Sequence, residues 1–133
     1  MSQEKLSALV AGSPYLKFLG LELTQVEGGV LATLPFSPHL VGNVMLPAIH
    51  GGVLAAFMET TAKAGLLALP DVTAPPVASN VTIDYLRSGR PVLTYAKARL
   101  VKVGRRVSNV HVEAWQEDET RPVAALRGHF VMG

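Results

Sequence analysis

Cysteine is absent from the 133 residues. That excludes disulfides, thiolate metal sites and cysteine nucleophiles together, and it fits a reducing compartment, with the cytoplasm as the expected location. Charge is scarce as well: Asp, Glu, Lys and Arg make up 17% of the chain, and 12 basic against 10 acidic residues leave a formal net charge of +2. So mild a balance argues against general nucleic-acid binding, although local basic clusters can still hold an anion. No HxxH or HExxH spacing links the four histidines. A metal site would have to gather ligands from distant segments, and none is expected. The first twenty residues hold Glu4, Lys5 and Lys17 with only short apolar runs between them. Neither a signal peptide nor a membrane span is expected there.

Apolar residues, in contrast, reach 49%. A chain of this length fits one domain over 1–133, with 1–18 as a helical lead-in. A small monomer cannot hide so much apolar surface, so the excess points to subunit contacts.

Leu6, Leu9 and Val10 stand at helical spacing before Gly12 and Pro14, which predicts a short amphipathic helix serving as a lid or brace. Leu19, Leu21 and Leu23 alternate with small or polar neighbours, Gly28 and Gly29 supply a turn, and Val30 to Leu34 runs back, which describes a β-hairpin. Phe36 to Ile49 carries Pro38, Gly42 and Pro47 without periodicity and reads as a long loop of the kind that often serves function. His50-Gly51-Gly52 then opens a helix that Pro70 ends, and its strongly polar members are only Glu59, Thr60, Thr61 and Lys63. A helix apolar nearly all round should be buried nearly all round. Four strand-like runs follow, Val77 to Arg87, Val92 to Val103, Arg106 to Glu117 and Arg121 to Met132. Their short connections predict antiparallel neighbours throughout. The order ββαββββ requires one sheet wrapped on one helix, an α+β arrangement.

Glu59 is the candidate for chemistry, because an unpaired carboxylate in a buried helix is costly and needs a reason. On a helical wheel Gly52, Ala55, Ala56 and Ala62 fall near it, leaving space beside the carboxylate for a substrate or for a partner's backbone. An ion pair with Lys63, four residues on, is the plainer account of Glu59 and is compatible with catalysis. His50-Gly51-Gly52 puts free backbone N–H groups and the positive end of the helix dipole where an anion or oxyanion could be held. The plainer account of these glycines is an ordinary loop-to-helix junction.

The runs HGGVLAAFME, ASNVTIDYLRSGRP and VKVGRRVSNVHVEA, in that order and spacing, resemble the PaaI-type branch of the hotdog-fold acyl-CoA thioesterases over residues 16–132. The resemblance implies a curved antiparallel sheet around one long central helix, and an activity that hydrolyses an acyl- or aryl-acyl-CoA thioester to free acid and CoA. It implies an oxyanion donor at the Gly51 N–H and a catalytic acid at Glu59, acting as general base or as nucleophile. His50 belongs to the same catalytic loop, and Asn43 is the matching candidate for positioning water or the acyl group. The family's spacing departs here, with one residue more and Pro47 in place of a glycine. Where some members carry a hydroxyl residue early in the next strand this chain has Ala78, with Ser79 beside it. Gly52, Lys63, Ser79 and Tyr85 are expected near the acyl chain, and Arg87, Arg90, Arg105 and Arg106, with Lys102, are the cations available to coenzyme A phosphates. No cofactor is implied beyond the coenzyme A of the substrate. The implied assembly is a homodimer joined edge to edge, pairing again into a homotetramer, with Gly51 and Glu59 of one site drawn from different subunits and no role for nucleic acid or membrane. His39 could line the entrance, while His111 and His129 lie on strand faces.

Two other functions fit parts of this pattern. A hotdog enoyl-CoA hydratase or dehydratase would use His50 with an acid, but the DxxxxH-type loop of such enzymes is absent. A non-catalytic acyl-CoA or ligand-binding protein would accommodate the irregular asparagine loop.

Overall fold

A computed structural model describes residues 2–40 and 49–133. Ser2–Ala11 forms α1 and Pro14–Leu19 forms a second short helix, α2. The break expected at Gly12 and Pro14 is real, but it also restarts the helix. Ser13 is the N-cap, its hydroxyl accepting the Leu16 N–H at 3.3 Å, and Pro14 follows at the first helical positions, where its missing N–H costs nothing. Gly20, at φ 77°, closes α2 in the left-handed conformation.

The lead-in is a brace. Leu6 is fully buried, and the Lys5 ammonium donates to the carbonyls of Leu69 and Val72 at 2.9 and 2.8 Å. The Gln3 amide donates to Leu23 O and accepts from Gln25 N–H, at 3.1 and 2.9 Å. That side chain stands in for a neighbouring strand along the edge it touches.

Glu22–Val26 (β1) and Gly29–Leu34 (β2) form the expected hairpin, with Gly28 and Gly29 at φ 86° and 141° making its turn. Gly51–Leu67 is the central helix, α3, and Val77–Tyr85 (β3), Thr94–Lys102 (β4), Val107–Trp115 (β5) and Ala124–Val131 (β6) complete the sheet. The strand order is β1-β2-β4-β5-β6-β3, with antiparallel pairing throughout.

One expected neighbour pair is therefore corrected: β3 pairs with β6, not with β4. The segment from Leu86 to Leu93 crosses the end of the sheet rather than making a hairpin turn. Its polar backbone is satisfied by a side chain, since Gln116 accepts from Arg90 N–H and donates to Arg90 O and to Thr94 Oγ1, at 3.1, 2.8 and 3.1 Å. Gly89 is buried in the crossing, where an added Cβ would stand 3.3 Å from Leu54 Cδ1.

The core lies between the sheet and α3, where Leu54, Phe57, Met58 and Leu66 are essentially inaccessible to solvent. Cross-strand register sets Leu23, Ala32, Ala96, Ala114, Ala124 and Tyr85 in one line across all six strands. Four consecutive alanines in that line leave the volume that the large side chains of α3 fill. Among the described residues, no buried side-chain nitrogen or oxygen lacks a hydrogen-bond partner. Among the described residues, no helix is long and apolar enough to cross a membrane.

The two edges of the sheet differ. Beside β1 lies α1, but among the described residues no strand or helix lies along the outer edge of the nine-residue β3, with Val77 64% and Tyr85 54% exposed at its ends.

Candidate active site

The head of α3 can be accounted for group by group. A helix leaves its first four N–H groups without intrahelical acceptors. In α3 these belong to His50, Gly51, Gly52 and Val53. His50 N–H donates to Leu40 O at 2.8 Å, Gly52 N–H to the Nδ1 of His50, the N-cap, at 2.9 Å, and Val53 N–H to His50 O at 3.0 Å, while Leu54 N–H to His50 O at 3.1 Å is the first regular helical bond. The fourth, Gly51 N–H, has no acceptor among the described residues. Everything around it is pinned. Ile49 N–H donates to Gly89 O at 2.9 Å and His50 N–H to Leu40 O at 2.8 Å, while the Tyr85 hydroxyl donates to Gly51 O at 2.8 Å. A single free donor, held from both sides at the positive end of a helix dipole, can stabilise a developing oxyanion.

Tyr85 was expected near the acyl chain, and the structure sets its ring against Gly51, where an added Cβ would meet the ring at 3.5 Å. At Gly52 an added Cβ would stand 3.0 Å from the His50 imidazole, so glycine keeps the cap seated.

Glu59 differs from expectation in two respects. Its side chain is 37% exposed in the single chain, and its Oε2 lies 3.2 Å from Lys63 Nζ, so it is neither deeply buried nor unpaired. The strip of small residues around it is also different, because Ala62 is fully buried while Gly52, Ala55, Ala56, Glu59 and Lys63 line the open side of α3. A helical wheel gives angular neighbours but not which of two adjoining stripes meets the sheet. Gly51 and Glu59 share one helix at a separation of eight positions, or roughly 12 Å at 1.5 Å per residue. They cannot touch the same atom from the same chain.

The basic residues divide between the two ends of α3. Arg87 and Arg90 flank Gly89 and thus stand at the Gly51 end. Arg87 donates to Pro122 O at 2.6 Å, and Arg90 pairs with Glu117 at 2.5 Å. They line a cleft of about 530 Å³ together with Arg121 and Asp118. Sequence reading passed over Arg121, whose only local signal was the polar turn before it. In that turn the Thr120 hydroxyl and N–H donate to Asp118 at 2.7 and 2.9 Å and hold its carboxyl below the usual range. Arg105 lies at the opposite end, lining a recess with Leu69 to Thr73, and Arg106 accepts the Met132 N–H there through its carbonyl. Along α3 that end is roughly 25 Å from Gly51. Ser79 occupies the register shift between Ala78 and Asn80 on β3. It is six residues, roughly 20 Å of strand, from Tyr85. Asn43 lies outside the described residues. His39 donates through Nε2 to Phe18 O at 2.7 Å and accepts from Ser37 at Nδ1, at 2.8 Å, which ties the loop after β2 to α2.

Comparison with known proteins agrees with this architecture. A family model described as the thioesterase superfamily matches residues 46–123. The medium/long-chain acyl-CoA thioesterase YigI of Salmonella typhimurium is 30% identical over 135 aligned positions, covering 89% of this chain and 85% of that protein. A crystal structure of a Chromobacterium violaceum protein is 33% identical, covers 98% of this chain and 90% of its own, and superposes with a TM-score of 0.77. The E. coli PaaI protein from the phenylacetic acid degradation operon shares the fold, with a TM-score of 0.83 at 21% identity over 99% of this chain and 93% of its own. With more than half its length matched by the family model, the chain belongs to the thioesterase superfamily, a thioester hydrolase built on the PaaI-type hotdog fold.

Proposed function

We propose that the protein hydrolyses acyl-CoA thioesters at a site shared between two copies, with the Gly51 N–H of one copy and the Glu59 carboxylate of the other on the same substrate. The observation that carries this reading is the unaccepted Gly51 N–H at the head of α3. Its partner group is Glu59, on the open side of the same helix and too far along it to act in the same chain. Names of relatives such as the YigI proteins favour a medium or long acyl chain over an aryl one.

Few groups are needed, because a thioester carbonyl is electrophilic and a thiolate leaves without strong acid assistance. With Glu59 as general base, water attacks the carbonyl carbon as its proton passes to the carboxylate, and the Gly51 N–H holds the oxyanion. The C–S bond then breaks, the acid is released, and coenzyme A leaves as the thiolate to be protonated. With Glu59 as nucleophile, the same bond breaks through a mixed anhydride that water hydrolyses. Arg87 and Arg90 stand at the Gly51 end, where the phosphates of coenzyme A would meet guanidinium groups already held in place. The second copy is supplied through the bare β3 edge, which can pair antiparallel with itself, and a further pairing of dimers gives the expected tetramer.

Thiol release from acetyl-, octanoyl-, palmitoyl- and phenylacetyl-CoA tests the activity and ranks the substrates. Glu59→Gln keeps the shape and removes the basicity. Turnover by that variant at the wild-type rate would exclude the carboxylate from the chemistry.

A further inference from the structure

The face of the sheet turned away from α3 carries a feature that thioester cleavage does not use. Ala98 on β4, Val110 and Val112 on β5 and Leu126 on β6 face the helix: the last three are buried, and an added Cβ on Gly65 would stand 3.1 Å from Ala98 Cβ. Arg99, His111 and Arg127 alternate with these residues and so point outward. Register sets the three directly across from one another, Arg99 opposite His111 and His111 opposite Arg127. His111 thus stands between the two guanidinium groups along the row. Among the described residues, neither guanidinium is in an ion pair, and nor is the Lys97 ammonium one outward level away.

The row is also organised. The Arg99 guanidinium lies 3.0 Å from His111 Nδ1. A guanidinium can only donate, so Nδ1 accepts and the ring carries its proton on Nε2, aimed away from Arg99. These side chains line a recess of about 670 Å³, to which Gly28, Gly29, Glu119 and, from α3, Gly65 also contribute. That is within the range of small-molecule pockets. The adjoining outward level carries Lys97 directly opposite Glu113, with Asp84 beyond Ala125 on the same wall.

We propose that this recess binds a small phosphate ester bearing hydroxyl groups. The phosphate sits on Arg99, Arg127 and the His111 Nε2–H, and the hydroxyls donate to Glu113 and Asp84. Guanidinium forks suit phosphate oxygens, and carboxylates are the matching acceptors for a polyol. Its charged side chains project from the face of the sheet turned away from α3, and binding there does not depend on the thioester reading.

Calorimetric titration of the intact protein with ribose 5-phosphate, adenosine 5′-monophosphate, inorganic phosphate and ribose tests this. Both esters should bind, inorganic phosphate more weakly and ribose not measurably. The double variant R99Q/R127Q should lose at least about tenfold in affinity for either ester. E113Q should weaken the esters while leaving inorganic phosphate unchanged, and acyl-CoA hydrolysis should be untouched in all of them. The proposal is overturned if no ester binds at millimolar concentration, or if R99Q/R127Q binds as tightly as wild type. It is overturned equally if that double variant changes the subunit mass in solution without any anion having bound. In that event the face is covered by another copy.

Discussion

The Tyr85 hydroxyl, at the end of the bare edge strand, donates to the carbonyl of Gly51 at 2.8 Å and so joins the sheet to the head of the central helix. The held carbonyl fixes the peptide after Gly51, and His50 O, which accepts from Val53 and Leu54, fixes the peptide that carries the Gly51 N–H. Tyr85→Phe removes this one bond at an exposed position and should cost about 0.5–1.5 kcal/mol of stability. In thiol-release assays kcat should fall more than KM rises, because a loosened donor is lost mainly from the transition state.

Gly51→Pro is a cleaner test of the donor. Proline is favoured at the first helical position, and His50, at φ −55° and ψ 134°, already has the extended conformation that a residue before proline requires. The variant should fold with an unchanged circular dichroism spectrum and lose about 10²–10³-fold in kcat. Wild-type turnover by a folded Gly51→Pro protein would assign the oxyanion to another group.

Sharing of the site between copies predicts complementation. Co-expressed Glu59→Gln and Gly51→Pro chains should recover about a quarter of wild-type activity, since random pairing gives half mixed dimers, each with one intact site of two. Two inactive parents whose mixture remains inactive would place both groups in one subunit.

Gln116 holds the crossing between β3 and β4 by three hydrogen bonds from a position 9% exposed. Gln116→Leu strands the Arg90 backbone groups, and urea unfolding should register a loss of about 2–4 kcal/mol. Because the same crossing carries Gly89 against Ile49, the variant should also raise KM.

The alanine line sets how closely α3 approaches the sheet. Ala114→Leu adds volume where Phe57 and Met58 already fill the space and should destabilise by about 1–3 kcal/mol, seen as a lower urea midpoint at an unchanged m-value.

Most of the fold is legible in local pattern. Alternation gave the strands, Gly28-Gly29 gave the hairpin turn, and a helix with almost no charge announced the centre of the molecule. Strand order was not legible at β3, because the SGRP sequence after it suits a turn as well as a crossing. The deciding contacts, Gly89 with Ile49 and Gln116 with Arg90, join residues distant in sequence. For the site, the HGG sequence and the family resemblance pointed to Gly51, and the geometry adds that the other N–H groups at the head of α3 already have acceptors. The surroundings of Glu59 were misread for a related reason: the sequence marks α3 as apolar, whereas its open stripe depends on where the sheet stops. Arg105 and Arg87 belong to similar-looking clusters, and a helix's length between them is invisible until the strands are laid out.

The uncovered strand Val77–Tyr85 has no proline or lysine and one acidic residue, Asp84, so little in its chemistry repels another chain. A protein with such a border is safe only while it is occupied. Diluted below the dissociation constant of the proposed dimer, it should lose specific activity and begin to adhere to itself out of register, so that catalytic output and shelf life would fall together with concentration.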